Sequence, residues 1–468
     1  MTLINNLEYH QMTKRREFIK KSMIGTAGIA IGGMGLSAKS YGSVMGANER
    51  INVAIAGIRG RGGAHISGFC GLKKNQNVVI KTLCDVDEQF FAKRIKSIQE
   101  STGDTPTTEW DMRKVLDDKD IDAVSLATPN HWHALGTIWA CQAGKHVFVE
   151  KPSSHNVFEG RKMIEAARKY DVRVQVGFQS RSSKTIIEAV KFLHDGGIGD
   201  IYMARGLCLK PRDSFGIARD SEPPATLHYD EWLGPAPWRP YNEKRLHYNW
   251  HWFWDTGNGD TGNQGPHQFD IARWGLNKNE HPVSVSSSGG FFGIDPDDCA
   301  QETPNTQCSV FKYADGKIIE FETRGRYTNA EASLGLTVGN IFYGSEGYLE
   351  LGGGQWKAFR QRENEPFAGT GVVPSGGRQA APDTVGDVPS DHFGNFIEAI
   401  REGNDRLLRC NVIEGHYSSS LPQLANISYR LERGLKFMGD YEKFANDPEA
   451  DAMLTRKYRY PYVISDVV

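Results

Sequence analysis

The stretch from Asp122 to Pro152 constrains the fold more than any other part of this sequence. It opens with an apolar run at residues 123–127, breaks at Thr128-Pro129-Asn130, and continues with apolar residues at helical spacing from Trp132 to Ala143. A second apolar run, residues 146–149, ends in Glu150-Lys151-Pro152. This succession predicts two buried parallel strands joined by a helix. Ligands bind at the carboxyl ends of such strands, so Lys151 is a candidate for chemistry, and a surface ion pair is the alternative.

A basic segment near the amino terminus resembles a twin-arginine export signal. Arg15-Arg16 is followed by Phe18, Ile19 and Lys20, and then by a weakly apolar run at residues 23–36 that is too short to span a membrane stably. We therefore expect residues 1–47 to be an export signal and leader, and the folded protein to be delivered to the periplasm. A basic amphipathic arm retained in the cytoplasm is the alternative.

Size and charge exclude several classes of function. The chain has 468 residues and a formal net charge of −2, so it lacks the basic excess that would neutralise a nucleic-acid backbone. No later stretch approaches the roughly 18 apolar residues of a membrane span. We expect a soluble protein of two packed domains whose partner is a small molecule.

The cysteines carry no sign of a disulfide framework or a metal site. There are seven of them, an odd number, and none forms a CxxC pair or another spacing typical of metal ligands. We interpret them as buried small hydrophobic residues, and we predict no metal in the site.

A strand, a glycine-rich turn and a helix follow the leader. Residues 51–56 are apolar, residues 57–63 read Gly-Ile-Arg-Gly-Arg-Gly-Gly, and a helix is expected from Ala64. Dinucleotide-binding folds need glycine here for a tight turn and for close approach to a pyrophosphate at the helix start. Gly57 and Gly62 hold the first and third places of the GxGxxG pattern, but Arg59 stands at the second. A glycine-rich turn without a ligand remains the alternative.

Asp85 ends the next predicted strand, residues 78–84. A carboxylate at this position suits the two ribose hydroxyls of NAD and repels the 2′-phosphate of NADP, so NADP is the less favoured cofactor. Asp87 is a nearby substitute, although we interpret it as a helix cap.

Strand and helix patterns alternate up to Gly177 and then change character. The alternation over residues 48–177 predicts a doubly wound parallel sheet, that is, an NAD-binding Rossmann domain in an α/β protein. Beyond it, alternating strands near residues 201–208, 283–287, 306–313, 317–323 and 336–343 predict an open, mostly antiparallel sheet. We expect residues 178–468 to form an α+β domain for substrate binding and oligomerisation.

An aromatic segment from His228 to Trp254 lies between the first strands of this second domain. Aromatic faces interleaved with polar groups suit a sugar ring, whose C–H face stacks on aromatics while its hydroxyls bind polar side chains. We predict substrate contacts from Tyr248, Asn249 and Trp252. The alternative is that most of these rings belong to the hydrophobic core.

A glycine-rich segment, residues 257–265, predicts a loop that leads to His267 at the start of a helix. A histidine at a helix start has a lowered tendency to protonate, so it can act as a base near neutral pH. Capping of its own helix is the alternative role.

Together these residues resemble the glucose-fructose oxidoreductase, inositol dehydrogenase and rhizopine-catabolism (Gfo/Idh/MocA) family. The resemblance implies that NAD is held by a set of cofactor-binding residues: Gly57, Arg59, Gly60, Arg61, Gly62, Asp85, Thr128, Pro129, Asn130, His133, Glu150 and Lys151. In that family an Asp stands four residues before the histidine, but this chain has Asn263 there. His267 therefore lacks its expected acidic neighbour unless Asp260 or Asp270 reaches it.

We expect an NAD-dependent oxidoreductase that acts on a carbohydrate or cyclic polyol and holds its cofactor tightly. His267 and Lys151 would be catalytic, and Tyr248, Asn263 and His267 would contact the substrate. The resemblance leaves open an NAD-dependent glycosidase, which oxidises, eliminates and then reduces the sugar ring. A sugar-binding module without turnover is a further alternative. We also expect a homo-oligomer.

Overall fold

The computed structural model describes residues 49–372 and 391–468. The expected leader, residues 1–47, lies outside the described residues. None of the described helices is long and apolar enough to cross a membrane. All seven cysteines are free thiols and six of them are buried, with Cys308 exposed, which confirms their interpretation as mainly packing residues.

Six parallel strands form the first sheet of the described chain. They are β1 (Ile51–Ala56), β2 (Val78–Cys84), β3 (Thr107–Glu109), β4 (Ala123–Leu126), β5 (His146–Glu150) and β6 (Val174–Gly177). Their order is β3-β2-β1-β4-β5-β6, which is the doubly wound Rossmann arrangement. The predicted fold class is therefore confirmed for this half.

Helices cover both faces of the parallel sheet. They are α1 (Gly60–Gly71), α2 (Lys73–Gln76), α3 (Phe91–Thr102), α4 (Met112–Asp117), α5 (His133–Gln142) and α6 (Val157–Lys169). Alternate residues of β1 enter two separate cores: Val53 and Ile55 pack with α1, whereas Ala54 and Ala56 pack with α4 and α5. Because both faces are buried, the strands read as continuous apolar runs.

Ten strands form the second sheet within the described ranges. They are β7 (Ile201–Cys208), β8 (Ser284–Gly290), β9 (Thr306–Lys312), β10 (Ile318–Arg324), β11 (Val338–Gly344), β12 (Tyr348–Gly352), β13 (Gln355–Phe359), β14 (Ala368–Gly369), β15 (Leu435–Met438) and β16 (Lys443–Phe444). Their order is β14-β13-β12-β11-β7-β10-β9-β8-β15-β16, and every pairing except that of β7 with β10 is antiparallel. The predicted open, mostly antiparallel sheet is confirmed.

The helices of the second half pack on one face of this sheet or connect the two sheets. They are α7 (Lys184–His194), α8 (Tyr229–Leu233), α9 (Gly259–Asn263), α10 (Gly265–Gly275), α11 (His392–Glu402), α12 (Val412–Arg430) and α13 (Pro448–Ala452). Phe269 of α10 and Leu424 of α12 share one core with Phe321 of β10. The opposite face carries an ion-pair network in which Arg205 contacts Glu320 and Glu322.

The carboxyl-terminal segments return to the parallel sheet. Phe393 and Phe396 of α11 pack with β1 and β2, and Tyr462 and Val468 pack with α5 and β4 on the other face. The segment that precedes α12 also pairs with the edge strand β6, since the Val176 N–H donates to the carbonyl oxygen of Cys410. The parallel sheet therefore ends at residue 177 in the sequence, but its cores are completed by residues beyond 391.

Candidate active site

One cavity of about 420 Å³ lies at the carboxyl ends of the parallel strands. Of the seventeen residues predicted to bind cofactor or substrate or to act in catalysis, thirteen line it: Gly57, Arg59, Gly60, Arg61, Asp85, Thr128, Pro129, His133, Glu150, Lys151, Tyr248, Asn263 and His267. Four do not line it: Gly62, Asn130, Asn249 and Trp252. The cavity thus brings ten of the twelve expected cofactor residues and both expected catalytic residues together.

The glycine-rich turn is tighter than the sequence suggests. Gly57 has φ +80°, and a Cβ there would lie 2.6 Å from the carbonyl oxygen of Ala127. A Cβ on Gly62 would clash with the carbonyl oxygen of Gly57, so this glycine allows close packing of helix on strand rather than lining the cavity. Helix α1 begins at Gly60, so the expected start at Ala64 is wrong. The amino terminus of α1 faces the cavity at Gly60 and Arg61.

Asp85 ties the end of β2 to the glycine-rich turn. Its Oδ2 accepts a hydrogen bond from the N–H of Ile58 at 2.8 Å, and its Oδ1 accepts one from the N–H of Asp87 at 3.0 Å. Burial raises the pKa of Asp85 to about 6, although these two hydrogen bonds oppose the rise. Asp87 itself caps the short helical turn at Glu88 by accepting from the N–H of Gln89, as its sequence position suggests.

His133 joins the two turns that follow β4 and β5. Its Nδ1 lies 2.7 Å from the carbonyl oxygen of Pro152, and its Nε2 lies 2.8 Å from that of Thr128. The ring is buried, and burial lowers its pKa. Asn130 is also buried, 2% exposed, and packs behind the turn. Asn130 therefore does not line the cavity, and its cofactor contact stays a prediction, whereas His133 lines the cavity and links its two turns.

Glu150 is the centre of a hydrogen-bond cluster at the end of β5. Its Oε1 accepts from Arg61 Nε at 2.8 Å, from Gln179 Nε2 at 2.9 Å, and lies 3.0 Å from His65 Nε2. Burial favours the neutral acid, but His65, Arg61 and Lys151 hold the pKa of Glu150 well below its usual range. The carboxylate therefore fixes the backbone that presents the neighbouring lysine.

Lys151 is held by the segment that precedes His267. Its Nζ donates to the backbone oxygen of Asn263 at 2.7 Å and lies 3.4 Å from Asn263 Oδ1. Burial and the nearby Arg61 and Lys210 lower the pKa of Lys151 to about 8, against the pull of Glu150. The Lys151–Pro152 peptide bond is cis. A lysine with its pKa near neutrality is well placed to donate a proton or a hydrogen bond.

His267 lies in the first turn of α10, and the predicted loop before it contains the short helix α9. Burial and the charge of Lys151 lower the pKa of His267 to about 3, so the imidazole is neutral. Its Nδ1 is buried and has no hydrogen-bond partner among the described residues. Neither candidate carboxylate bonds to it, because Asp260 pairs with Arg212 at 2.8 Å and Asp270 pairs with Arg181 at 2.8 Å.

Only part of the aromatic segment faces the cavity. Residues 249–252 form a 3-10 turn, which places side chains three apart on one side, so Tyr248 and His251 both line the cavity. Trp252 is buried, with the guanidinium of Arg212 5.2 Å from its ring centre. Asn249 and Trp252 therefore do not line the cavity, so the structure does not bring these two expected substrate residues to it, whereas it does bring His251, which the sequence did not single out.

The opposite end of the cavity has an aromatic lining that the sequence did not suggest. Trp110, Trp132, Trp139 and Tyr462 line it, with Arg113 at 5.9 Å from the ring centre of Tyr462. Tyr462 comes from the carboxyl-terminal tail, more than 300 residues after the other rings. Only the return of the tail to the parallel sheet brings these side chains together.

Two models of one protein family match most of the chain. The model described as an oxidoreductase family, NAD-binding Rossmann fold, matches residues 51–178. The model of the same family's C-terminal alpha/beta domain matches residues 217–347 and 379–464.

Curated relatives match shorter parts. A levoglucosan dehydrogenase from Pseudarthrobacter phenanthrenivorans is 38% identical over 104 residues, 22% of this chain and 26% of that protein. An α-N-acetylgalactosaminidase from Shewanella oneidensis is 28% identical over 172 residues, 33% of this chain and 37% of that protein. The chain thus matches well under half the length of these relatives.

Among solved structures, a levoglucosan dehydrogenase in complex with NADH and levoglucosan superposes with a TM-score of 0.60. The match covers 83% of this chain and 99% of the other, at 19% sequence identity. It shows that the two proteins share a fold.

Proposed function

This chain belongs to the Gfo/Idh/MocA oxidoreductase family, and we propose that it transfers hydride between a carbohydrate or cyclic polyol and NAD. One observation carries the proposal. Lys151 and His267 line the same cavity as the glycine-rich turn and Asp85, so proton-transfer groups stand beside a dinucleotide site.

The residues present fit NAD. A Cβ at Gly60 would meet no heavy atom within 4 Å, so the start of α1 is open for a pyrophosphate. The Asp85 carboxylate would accept from ribose hydroxyls, and its charge favours NAD over NADP. Bound NAD would supply the hydride acceptor that oxidation of an alcohol requires.

Lys151 would bind and polarise the reacting oxygen. An ammonium group has three N–H donors, and Asn263 accepts from Lys151 through its backbone oxygen and lies near it through Oδ1. A remaining N–H is available for the substrate hydroxyl. Because the pKa is about 8, the group is mostly charged at neutral pH and stabilises negative charge that develops on that oxygen.

His267 would take the hydroxyl proton as the carbinol carbon is oxidised to a carbonyl. The pKa of about 3 belongs to the site without substrate, where Lys151 places a positive charge near the ring. A substrate oxygen that gains negative charge raises that pKa, because a nearby anion favours the imidazolium. In the reverse direction His267 returns the proton to the same oxygen.

One similarity favours a second candidate, an NAD-dependent glycosidase. The match to an α-N-acetylgalactosaminidase covers a third of this chain. In such a reaction C3 gives its hydride to NAD and becomes a carbonyl, the acidified neighbouring C–H loses its proton as the aglycone leaves, water adds to the resulting double bond, and the hydride returns to C3. A second proton must then leave carbon, and Lys151 or His267 would accept it.

A screen of sugars and aryl glycosides, with NADH absorbance and released aglycone recorded together, tests both candidates. Reduction of NAD by free sugars, limited to about one NADH per chain if the cofactor stays bound, supports the oxidoreductase, and aglycone release without net NADH supports the glycosidase. A purified, NAD-binding protein that yields neither signal would contradict both and leave a sugar-binding module.

We also propose that the twin-arginine pair at Arg15-Arg16 directs export of the folded protein with its NAD. A periplasm has no free NAD pool, so the cofactor would need a dissociation constant of about 10⁻⁹ M, near −12 kcal/mol, to remain bound. Protein purified without added NAD should keep about one dinucleotide per chain after dialysis. Empty protein that binds only millimolar NAD would contradict the proposal.

We propose that the protein self-associates through the part of the second sheet's face opposite α10 and α12 that the described residues leave exposed. Side chains on that face alternate with buried ones, and Tyr202 and Val310 on it are 54% and 44% exposed. Light scattering coupled to gel filtration should report a homo-oligomer. A monomer at micromolar concentration would contradict this.

A further inference from the structure

A hydrogen-bond donor and an acceptor stand near each other in the cavity that holds Lys151 and His267. They belong to Tyr248 and His251, which line the cavity from the same side of the 3-10 turn. Their ring centres are 4.6 Å apart. We call Tyr248 Oη and His251 Nε2 the donor–acceptor pair. The hydrogen bonds that each side chain already makes show what it has left for a ligand.

Tyr248 has a hydrogen to donate. Its Oη accepts from Asn263 Nδ2 at 3.3 Å, and the phenol hydrogen has no acceptor among the residues that the structure describes. The side chain is 51% exposed and lines the cavity, so the O–H is accessible to a ligand. A hydroxyl that accepts one hydrogen bond is polarised toward donating another, and Tyr248 therefore offers the cavity a donor.

His251 has the opposite property. Its Nδ1 lies 2.5 Å from the carbonyl oxygen of Tyr248, which only accepts, so Nδ1 carries the hydrogen of the neutral ring. Burial and the charges of Lys151 and Arg212 lower the pKa of His251 to about 3, so the ring stays neutral. Nε2 is then a bare acceptor without a partner in the described chain. It is accessible from the cavity, unlike the buried Nδ1 of His267.

Both side chains are held in place by their neighbours. The ring of Trp250 stacks on that of His251 with 3.6 Å between the ring centres. Asn263, which donates to Tyr248, also accepts from Lys151 Nζ through its backbone oxygen, and its Oδ1 lies 3.4 Å from the same nitrogen. Because only the amide of Asn263 separates Tyr248 Oη from Lys151 Nζ, the pair and the lysine can bind oxygens on adjacent carbon atoms.

We propose that the donor–acceptor pair binds a second hydroxyl of the substrate, on the carbon atom next to the one that is oxidised. This hydroxyl would accept from Tyr248 Oη and donate to His251 Nε2. Only a group that both donates and accepts satisfies the pair, because an ether, a carbonyl or a C–H group leaves at least one of its two atoms unpaired. The inference rests on the proposed function and narrows its substrates to vicinal diols.

Titration calorimetry of the NAD-saturated full chain with methyl α-glucoside and its 2-deoxy, 3-deoxy and 4-deoxy analogues tests the proposal. The three secondary hydroxyls of this glycoside are contiguous, so whichever one contacts Lys151 has a neighbour. Two of the analogues should bind about 10-fold more weakly than the parent, because one lacks the oxygen at Lys151 and the other lacks the oxygen at the pair. The two sensitive positions should be adjacent.

Tyr248→Phe and His251→Asn identify the position that the pair binds. Phenylalanine lacks the O–H, and asparagine keeps a donor for the Tyr248 carbonyl oxygen but has no acceptor at the place of Nε2. Each variant should bind the parent glycoside about 10-fold more weakly and the analogue that lacks the hydroxyl at the pair as the wild type does. His251→Gln, whose longer amide restores an acceptor, should recover most of the affinity. Tyr241→Phe removes a phenol O–H of the same segment outside the cavity and should change no affinity.

Calorimetry reports binding whether or not hydride is transferred. A protein that binds the series as expected but yields no NADH would contradict the proposed oxidoreductase and leave this inference standing. Equal affinity of the wild type for all four glycosides would overturn the inference, and so would sensitive positions at C2 and C4, which are not adjacent. Unchanged discrimination in both Tyr248→Phe and His251→Asn, or absence of glucoside binding at ~10 mM, would also overturn it. If a variant fails to fold, the wild-type series still decides the question.

Discussion

The cofactor preference of this protein should change with pH, because the charge on Asp85 does. The carboxyl lines the cavity at the end of β2, and burial raises its pKa to about 6. Above that pH its negative charge should exclude the 2′-phosphate of NADP, and below it the neutral acid should not. The experiment therefore changes the pH from 8 to 5. The Asp85→Asn variant serves as the comparison, because its side chain does not titrate.

The magnitude follows from the pKa. A carboxyl with a pKa of about 6 is protonated in roughly 1% of molecules at pH 8 and roughly 90% at pH 5. If NADP binds only the protonated form, its apparent affinity should rise roughly 100-fold across this range, because apparent affinity scales with the competent fraction. NAD affinity should fall or stay level, since a neutral acid is the weaker acceptor for ribose hydroxyls.

Fluorescence titration of NAD and NADP at half-unit pH intervals measures the effect. The 2′-phosphate also titrates near pH 6, so the informative quantity is the difference between wild type and Asp85→Asn. Asp87→Asn keeps the Asp85 titration but should move it to lower pH, because the charge of Asp87 contributes to raising the pKa of Asp85. Asparagine offers one acceptor to the N–H groups of Ile58 and Asp87 where aspartate offers two, so Asp85→Asn should also cost about 1–3 kcal/mol of stability. An identical pH slope in wild type and Asp85→Asn, or NADP preference at pH 8, would refute the reasoning.

Three further outcomes are expected. The value of kcat/KM for oxidation should fall as the pH rises through about 8, because Lys151 loses its charge there. In Lys151→Arg this fall should move beyond about pH 10, since arginine stays charged. A wild-type kcat/KM that still rises at pH 9 would contradict this prediction. His267→Ala should lower kcat by roughly 10² with unchanged NAD affinity, whereas Asn249→Ala, outside the cavity, should match the wild type in stopped-flow assays. Asp270→Asn should cost about 1–3 kcal/mol in urea unfolding, since it removes one of the two carboxylates that pair with the buried Arg181 and leaves only Glu414, and no measurable loss would disprove that role. The pKa of Asp270 is held low by Arg181 despite burial, so this stabilisation is present above about pH 4 and is lost as the pH falls below it.

The parallel sheet could be predicted because a strand that is buried on both faces is a continuous run of apolar residues in the sequence. Strand β3 is the exception: Thr107–Glu109 is a three-residue edge strand whose threonines are exposed, so no apolar run marks it. The start of α1 was misplaced for a related reason. Glycine disfavours helix, which placed the expected start at Ala64, but packing against Gly57 stabilises the turn from Gly60 onward.

Site residues could be predicted from the sequence only where they lie at the end of a strand, because the strand then determines their position at the sheet edge. Asp85 and Lys151 end or follow apolar runs, so their position at the sheet edge follows from topology. His65 and Gln179, which bond to Glu150, lie far from it in sequence, and no local pattern pairs them. One signal existed in retrospect: His65 lies beside Ile66 on the buried face of α1, where a polar side chain needs a partner.

The aromatic segment shows a second limit. Composition indicated a ligand wall but not which side chains face it, because that depends on a 3-10 turn at residues 249–252. If that turn were shifted by one position, the side chain of Trp252 would face the cavity in place of that of His251. Likewise, the spacing of Asp260 and Asp270 from His267 permitted contact, and only the arginines that bind them show that it does not occur.

The packing of the carboxyl-terminal segments on the parallel sheet sets the order in which the chain can fold. Phe393, Phe396, Tyr462 and Val468 cover faces of a sheet whose last strand ends at residue 177. Ribosomes add ~5–20 residues per second, so the nascent sheet waits roughly 15–60 s for the side chains that cover it. Throughout synthesis it therefore presents apolar surface to chaperones, and a chain that stops before residue 391 would never lose that surface.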